Sequence, residues 1–201
     1  FTLTFDSDYD GVANEVDQCP SSPAGAIVDQ FGCAANQRDT DGDGVNDDMD
    51  DFVNDSTQWS DQDGDGYGDN PNGNNSDDFP SDGTQWSDQD GDGYGDNQNG
   101  TFPDAFPTDA TQWSDMDGDG YGDNPAGNNA DLWTNDSSQW FDSDGDGYGD
   151  NPTGTNGDAF PTDGTQWSDQ DGDGYGDNQT GNNPDAFPSD ATQWADTDGD
   201  G

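Results

Sequence analysis

A chain of 201 residues with 48 acidic side chains, a single Arg or Lys and no His carries a formal charge of −47. Hydrophobic residues make up 24%, about half the usual globular share, which excludes a conventional aliphatic core. No apolar run approaches the length of a membrane span. Phosphate binding needs basic side chains, and Arg38 is the only one, so nucleic acid is not an expected partner. Without His or Lys there is no imidazole base, Schiff-base lysine or His-ligated zinc, and an enzyme is not expected. Composition alone reads as disorder. Against this stand aromatics at 11% and acid that is almost all Asp, with Glu15 the only Glu.

In chain order, residues 1–5 (Phe-Thr-Leu-Thr-Phe) alternate and predict one short strand-like leader. Residues 6–56 contain two Asp-x-Asp-x-Asp-Gly loops. The first is Asp6, Asp8, Asp10, Gly11, Val12, Asn14 and Asp17; the second is Asp39, Asp41, Asp43, Gly44, Val45, Asp47 and Asp50. Calcium is a hard cation that takes six to eight oxygen ligands. Carboxylates at loop positions 1, 3, 5 and 9, a backbone carbonyl at 7 and an acid near 12 supply them, with Gly at 6 for the sharp turn. Both loops fit, with Val12 and Val45 giving the carbonyl. Magnesium, which keeps more of its water, suits such a ligand-rich loop less well.

From residue 57 to 201 the sequence repeats every 27 residues, marked by Trp59, Trp86, Trp113, Trp140, Trp167 and Trp194. The units run 61–87, 88–114, 115–141, 142–168 and 169–195, with 196–201 beginning a sixth. That loop stops in mid-motif, so the array is expected to continue. Each complete unit opens with the same loop. The expected ligands are Asp61, Asp63, Asp65, Tyr67 and Asp69 in the first unit, and Asp88, Asp90, Asp92, Tyr94 and Asp96 in the second. They are Asp115, Asp117, Asp119, Tyr121 and Asp123 in the third, then Asp142, Asp144, Asp146, Tyr148 and Asp150, then Asp169, Asp171, Asp173, Tyr175 and Asp177.

These units have no acid at position 12. Asp50 lies 27 residues before Asp77, in the same column. A five-residue insertion is therefore expected between loop position 9 and the last ligand, with Asp77, Asp104, Asp131, Asp158 and Asp185 bending back to supply it. The fixed Gly73 column would help the detour. A further Asp column, at Asp82 and its equivalents, is surplus to one ion, so one or two Ca2+ per repeat are expected. Helical or strand periodicity is absent over any useful length. The expected fold is mostly irregular: a linear, calcium-stabilised repeat rod in which each unit contacts its neighbours. Tyr67, Phe79 and Trp86 recur in each unit, with Trp133 once replacing Phe, and are expected to stack as a miniature core in place of aliphatics. Cys19 and Cys33 are either a disulfide or two free thiols.

The segment from Asp6 to Asp50 resembles thrombospondin type-3 repeats, in the bacterial form found in secreted and outer-membrane-associated proteins. The resemblance rests on Asp-x-Asp-x-Asp-Gly-Val, Asp17-Gln18-Cys19-Pro20, Val28-Asp29-Gln30-Phe31-Gly32-Cys33 and the Asp39 loop. The 27-residue units match more loosely, with Phe79-Pro80 where the family has Cys-Pro, no Cys and the insertion. The resemblance implies a calcium-organised extracellular or cell-surface repeat with little regular structure, and favours the Cys19–Cys33 disulfide, hence an oxidising compartment. The leading functional expectation is a rigid stalk, spacer or fibre subunit, with copies of itself as possible partners. The alternative is a calcium-dependent glycan-binding or adhesion module. Asn54, Asn74, Asn99, Asn135 and Asn178 stand in glycosylation sequons, so covalent glycans are a further expectation.

Overall fold

The turn-rich sequence folds largely without helix or strand, as its lack of periodicity predicts. The computed structural model describes residues 5–199. The expected leader strand at 1–5 lies outside these residues but for Phe5. Among the described residues the one helical element is a 3-10 turn, Ala35–Gln37. Isolated bridges replace strands. Val28 pairs antiparallel with Ala34, and five parallel bridges, from Gly68–Ser76 to Gly176–Pro184, recur once per repeat. The chain divides into two compact units, one formed by Phe1–Asp88 with Gly95–Pro103 and the other by Gln89–Tyr94 with Asp104–Gly201.

In the first unit the N-terminal segment is closed by the Cys19–Cys33 disulfide. Its backbone ties are local: Gln18 N–H donates to Phe31 O at 2.8 Å, and Asp29 N–H to Cys33 O at 3.0 Å. Arg38 pairs with Asp47 and, at 3.5 Å, with Asp29.

The interior is polar. Ala34 is the one buried hydrophobic residue among those described, whereas Gln58, Gln85, Gln112, Gln139 and Gln166 are each only 1% exposed. The rings do stack. Tyr67 lies on Trp86 with centroids 5.2 Å apart and planes 3° from parallel, and the Tyr94–Trp113, Tyr121–Trp140, Tyr148–Trp167 and Tyr175–Trp194 pairs repeat the arrangement. They remain half-buried or more exposed. The expected stacking is therefore present, with the rings only partly buried, while the most buried side chains are amides and carboxylates.

Candidate metal centres

Each loop is shaped by its own carboxylates. Asp61 accepts from Gly64 N–H at 2.7 Å with one oxygen and from Gly66 N–H at 3.0 Å with the other. Asp63 Oδ1 accepts from Asp65 N–H, and Asp65 Oδ1 from Tyr67 N–H at 2.8 Å. Gly64 and Gly66 sit at φ 81° and 94°, a region that costs L-residues about 1–2 kcal/mol. The fold brings together Asp6, Asp8 and Asp10; Asp39, Asp41 and Asp43; Asp61, Asp63 and Asp65; and Asp115, Asp117 and Asp119, each set offering carboxylate oxygens within 4.8 Å of one another. The Asp142 and Asp169 loops repeat the turn bonds, with Gly145 and Gly147 donating to Asp142 and Gly172 and Gly174 to Asp169. In the second repeat, Asp88 and Asp96 belong to the first compact unit and Asp90, Asp92 and Asp104 to the second.

The distant column does return to the loop. Asp77 N–H donates to Gly68 O at 2.9 Å and Gly68 N–H to Asn75 O at 3.0 Å, closing the detour with a parallel bridge. Asp77, Asp131, Asp158 and Asp185 are at most 3% exposed. One oxygen of each fixes the turn that follows, as Asp77 Oδ1 does by accepting from Phe79 N–H at 2.7 Å. The other oxygen, Oδ2, is buried with no hydrogen-bond partner, and so are Oδ2 of Asp63 and Asp65. The same trio recurs at Asp119, Asp131 and Asp117, at Asp144, Asp146 and Asp158, and at Asp171, Asp173 and Asp185. Burial, and then the charges of Asp65, Asp63 and Asp69 against the lowering by Phe79 N–H, push the Asp77 carboxyl up to about 6. Burial and neighbouring carboxylates likewise raise Asp131, Asp158, Asp63, Asp144 and Asp171.

The N-terminal loops reach the same end without a detour. Burial raises Asp41, and Asp43 and Asp50 add to it, placing the position-12 acid Asp50 beside its loop. Asp17 and Asp10 flank Gly32, where a Cβ would lie 2.3 Å from Asp17 Oδ1 and 3.0 Å from Asp10 Oδ2. Asp8, Asp10, Asp17, Asp41 and Asp43 each bury one oxygen without a partner. Asn14, at position 9 of the first loop, accepts from Ser7 N–H and donates to Ser7 Oγ.

Position 9 is tethered throughout by a neighbouring hydroxyl. Asp69 accepts from Ser60, Asp123 from Ser114 and Asp177 from Ser168. Phe141 replaces that serine before the Asp142 loop, and there Asp150 accepts from Ser143 instead, as Asp47 does from Thr40 at 2.8 Å.

Two features escape the sequence reading. The first is the buried glutamine. Gln58 donates to Asn70 O at 2.9 Å and Asn74 O at 3.0 Å and accepts from Asn70 N–H at 2.9 Å, so it plugs the detour of the unit that follows it. This explains the Gly68 and Gly73 columns: a Cβ at Gly68 would lie 2.1 Å from Gln58 Cδ, and one at Gly73 2.3 Å from Thr57 O. Gly73 is thus fixed by a close approach rather than by a special backbone angle. The signal was present as an invariant Gln beside each Trp. The second is the Asp82 column. Asp82 Oδ1 accepts from Thr84 N–H at 3.1 Å and Thr84 Oγ at 2.6 Å, and Asp55, Asp109, Asp136, Asp163 and Asp190 cap the same turn. Hydroxyl bonds lower Asp55, Asp109, Asp136, Asp163 and Asp190. These carboxylates have a structural use that needs no second ion.

No known protein family matches this chain, and no curated protein matches it. Donor chemistry bears on what the loops could hold. A buried oxygen left unpaired costs about 1–3 kcal/mol, more when charged, and here several converge in each loop. All donors are hard oxygens, so the set fits a cation such as Ca2+ and lacks the nitrogen and sulfur that zinc or copper select. In the first repeat Asp61, Asp63, Asp65, Asp69, Asp77 and the Tyr67 carbonyl would hold it, and the bound charge would offset their mutual repulsion.

Proposed function

We propose that this chain is a calcium-dependent structural repeat protein of an extracellular or cell-surface setting, its array serving as a stiff stalk, spacer or fibre subunit. The observation that carries the calcium reading is the buried, unpartnered Oδ2 of the returning aspartate beside two more such oxygens, repeated in register. A solvated acidic tract has no reason to bury carboxylates in this way. The disulfide supports an oxidising compartment. The likeness of residues 6–50 to thrombospondin type-3 repeats supports both points. Near-identical units favour length and stiffness over a unique binding site, and ions that bind only the ordered chain stabilise it by mass action.

The test is a calcium titration of the EDTA-treated chain followed by isothermal calorimetry, near-UV circular dichroism and small-angle scattering. Saturable binding of at least one ion per loop, with ordering of the Trp signal and a rod-like scattering profile, is expected. Spectra and dimensions indifferent to calcium would overturn the reading.

A further inference from the structure

We propose that Gln139, the buried glutamine near the end of its repeat, is a positioning residue for the cation site of the repeat that follows, so that these neighbouring sites bind their ions with coupled affinity. The inference rests on the calcium reading above.

The argument follows one line of bonds within the second compact unit. Asp131, a returning ligand of the Asp115 loop, turns Oδ2 to that loop while Oδ1 accepts from Trp133 N–H at 2.7 Å. Trp133 O accepts from Asp136 N–H at 2.7 Å. Asp136 fixes Ser138 through both N–H (3.1 Å) and hydroxyl (2.6 Å), and its carbonyl accepts from Gln139 N–H at 2.9 Å. Gln139 then crosses into the next repeat, donating to Asn151 O at 2.8 Å and Thr155 O at 3.1 Å and accepting from Asn151 N–H at 3.1 Å. Ser138 adds its hydroxyl as acceptor for Thr155 N–H at 2.9 Å. The detour so held ends at Asp158, whose N–H meets Gly149 O at 2.7 Å and whose Oδ2 is again buried beside the loop.

The downstream ligand thus owes its place to side chains of the upstream repeat. Asp158 is separated from its loop by a detour of irregular chain whose carbonyls would otherwise face water. Gln139 is 1% exposed, and Gly149 and Gly154 leave it no spare volume. An ion that fixes Asp131 orders the turn carrying Gln139, and Gln139 in turn orders Asp158. Coupling between sites is a free energy and is measured as a change in one affinity caused by the state of the other.

The experiment uses the full chain. Calcium titrations are followed by the amide resonances of Gly120, in the upstream loop, and Gly147, in the downstream loop. In Gln139→Leu, which keeps volume and removes the amide, the Gly147 site loses both its positioning and the coupling and its midpoint is expected to rise about 5- to 10-fold, while the Gly120 site loses the reciprocal coupling alone and its midpoint rises by a smaller factor. Asp131→Asn is expected to weaken the Gly147 site in the parent chain and to leave it unchanged on the Gln139→Leu background. Gly154→Ala, whose Cβ would stand 2.3 Å from Ser138 O and 2.7 Å from Gln139 Nε2, displaces the glutamine without deleting it. It should reproduce the downstream weakening if Gln139→Leu does not fold. Parent-like midpoints at Gly147 in both variants, or a Gly120 midpoint that rises more than that of Gly147, would overturn the coupling. A parent chain with no calcium-dependent shifts would instead overturn the calcium reading itself.

Discussion

The two N-terminal loops and the 27-residue repeats solve one problem differently. Each must seat a last carboxylate against a ring of like charges. The Asp6 and Asp39 loops do so within a dozen residues: Asp17 lies against Gly32, next to the disulfide at Cys33, and Asp50 follows its loop directly. The repeats have no cysteine. They send the chain on a detour and fix it with a glutamine from the preceding unit. The rings divide in the same way. Trp86 has Tyr67 to stack on, whereas Trp59 follows a loop whose position 7 is Val45. A covalent clamp makes a site self-sufficient; a borrowed side chain makes it depend on its neighbour.

Calcium removal should break this comparison most visibly. In EDTA the repeats are expected to become protease-sensitive throughout, while the disulfide keeps the fragments of residues 19–33 joined; mass spectrometry of a timed digest under non-reducing conditions reads both. Equal persistence of the two regions would remove the contrast. Reduction of Cys19–Cys33 in calcium is next in size. It should cost the N-terminal segment about 3 kcal/mol and leave the repeats unaffected, as read by hydrogen exchange.

The glycine columns sharpen the point at lower cost. Gly122→Ala places a methyl 2.0 Å from Gln112 Cδ, whereas Gly118, at φ 80°, has nothing within 4 Å. The first substitution should destabilise by about 1–3 kcal/mol through overpacking. The second should cost about 1 kcal/mol through backbone strain alone; thermal melts in saturating calcium rank them.

The smallest effect is that of pH on the calcium-free chain. Asp77 has its folded carboxyl raised from 3.8 to about 6. Between those values the folded state binds more protons than the unfolded one, so stability falls as pH rises through the window. The calcium-free repeats should therefore be better ordered near pH 4 than at pH 7, by circular dichroism, and calcium should reverse the trend.

The loops were legible because their geometry is local: an Asp-x-Asp-Gly-Asp-Gly run dictates its own turns. The return of Asp77 was legible too, because Asp50 occupies the same column without the insertion. The role of Gln58 was not, since an amide at a polar surface and one plugging a backbone gap look alike until the gap is formed. Asp82 has a use that the sequence does not display. A carboxylate three residues before a Gln-Trp pair reads as a spare ligand, and only the turn shows that Thr84 bonds one of its oxygens. The rings were harder to place, because large apolar groups are expected fully inside, and here carboxylate and amide side chains occupy the most buried positions.

Gln85, Gln112, Gln139 and Gln166 all enter the same kind of socket, formed by a buried Gly and the following Asn. Every joint is therefore interchangeable with every other. Excising or duplicating one 27-residue period in phase rejoins a glutamine to a socket of the kind it already fits. Length can then vary by whole periods, with no compensating substitution elsewhere, as a chain is shortened by dropping a link.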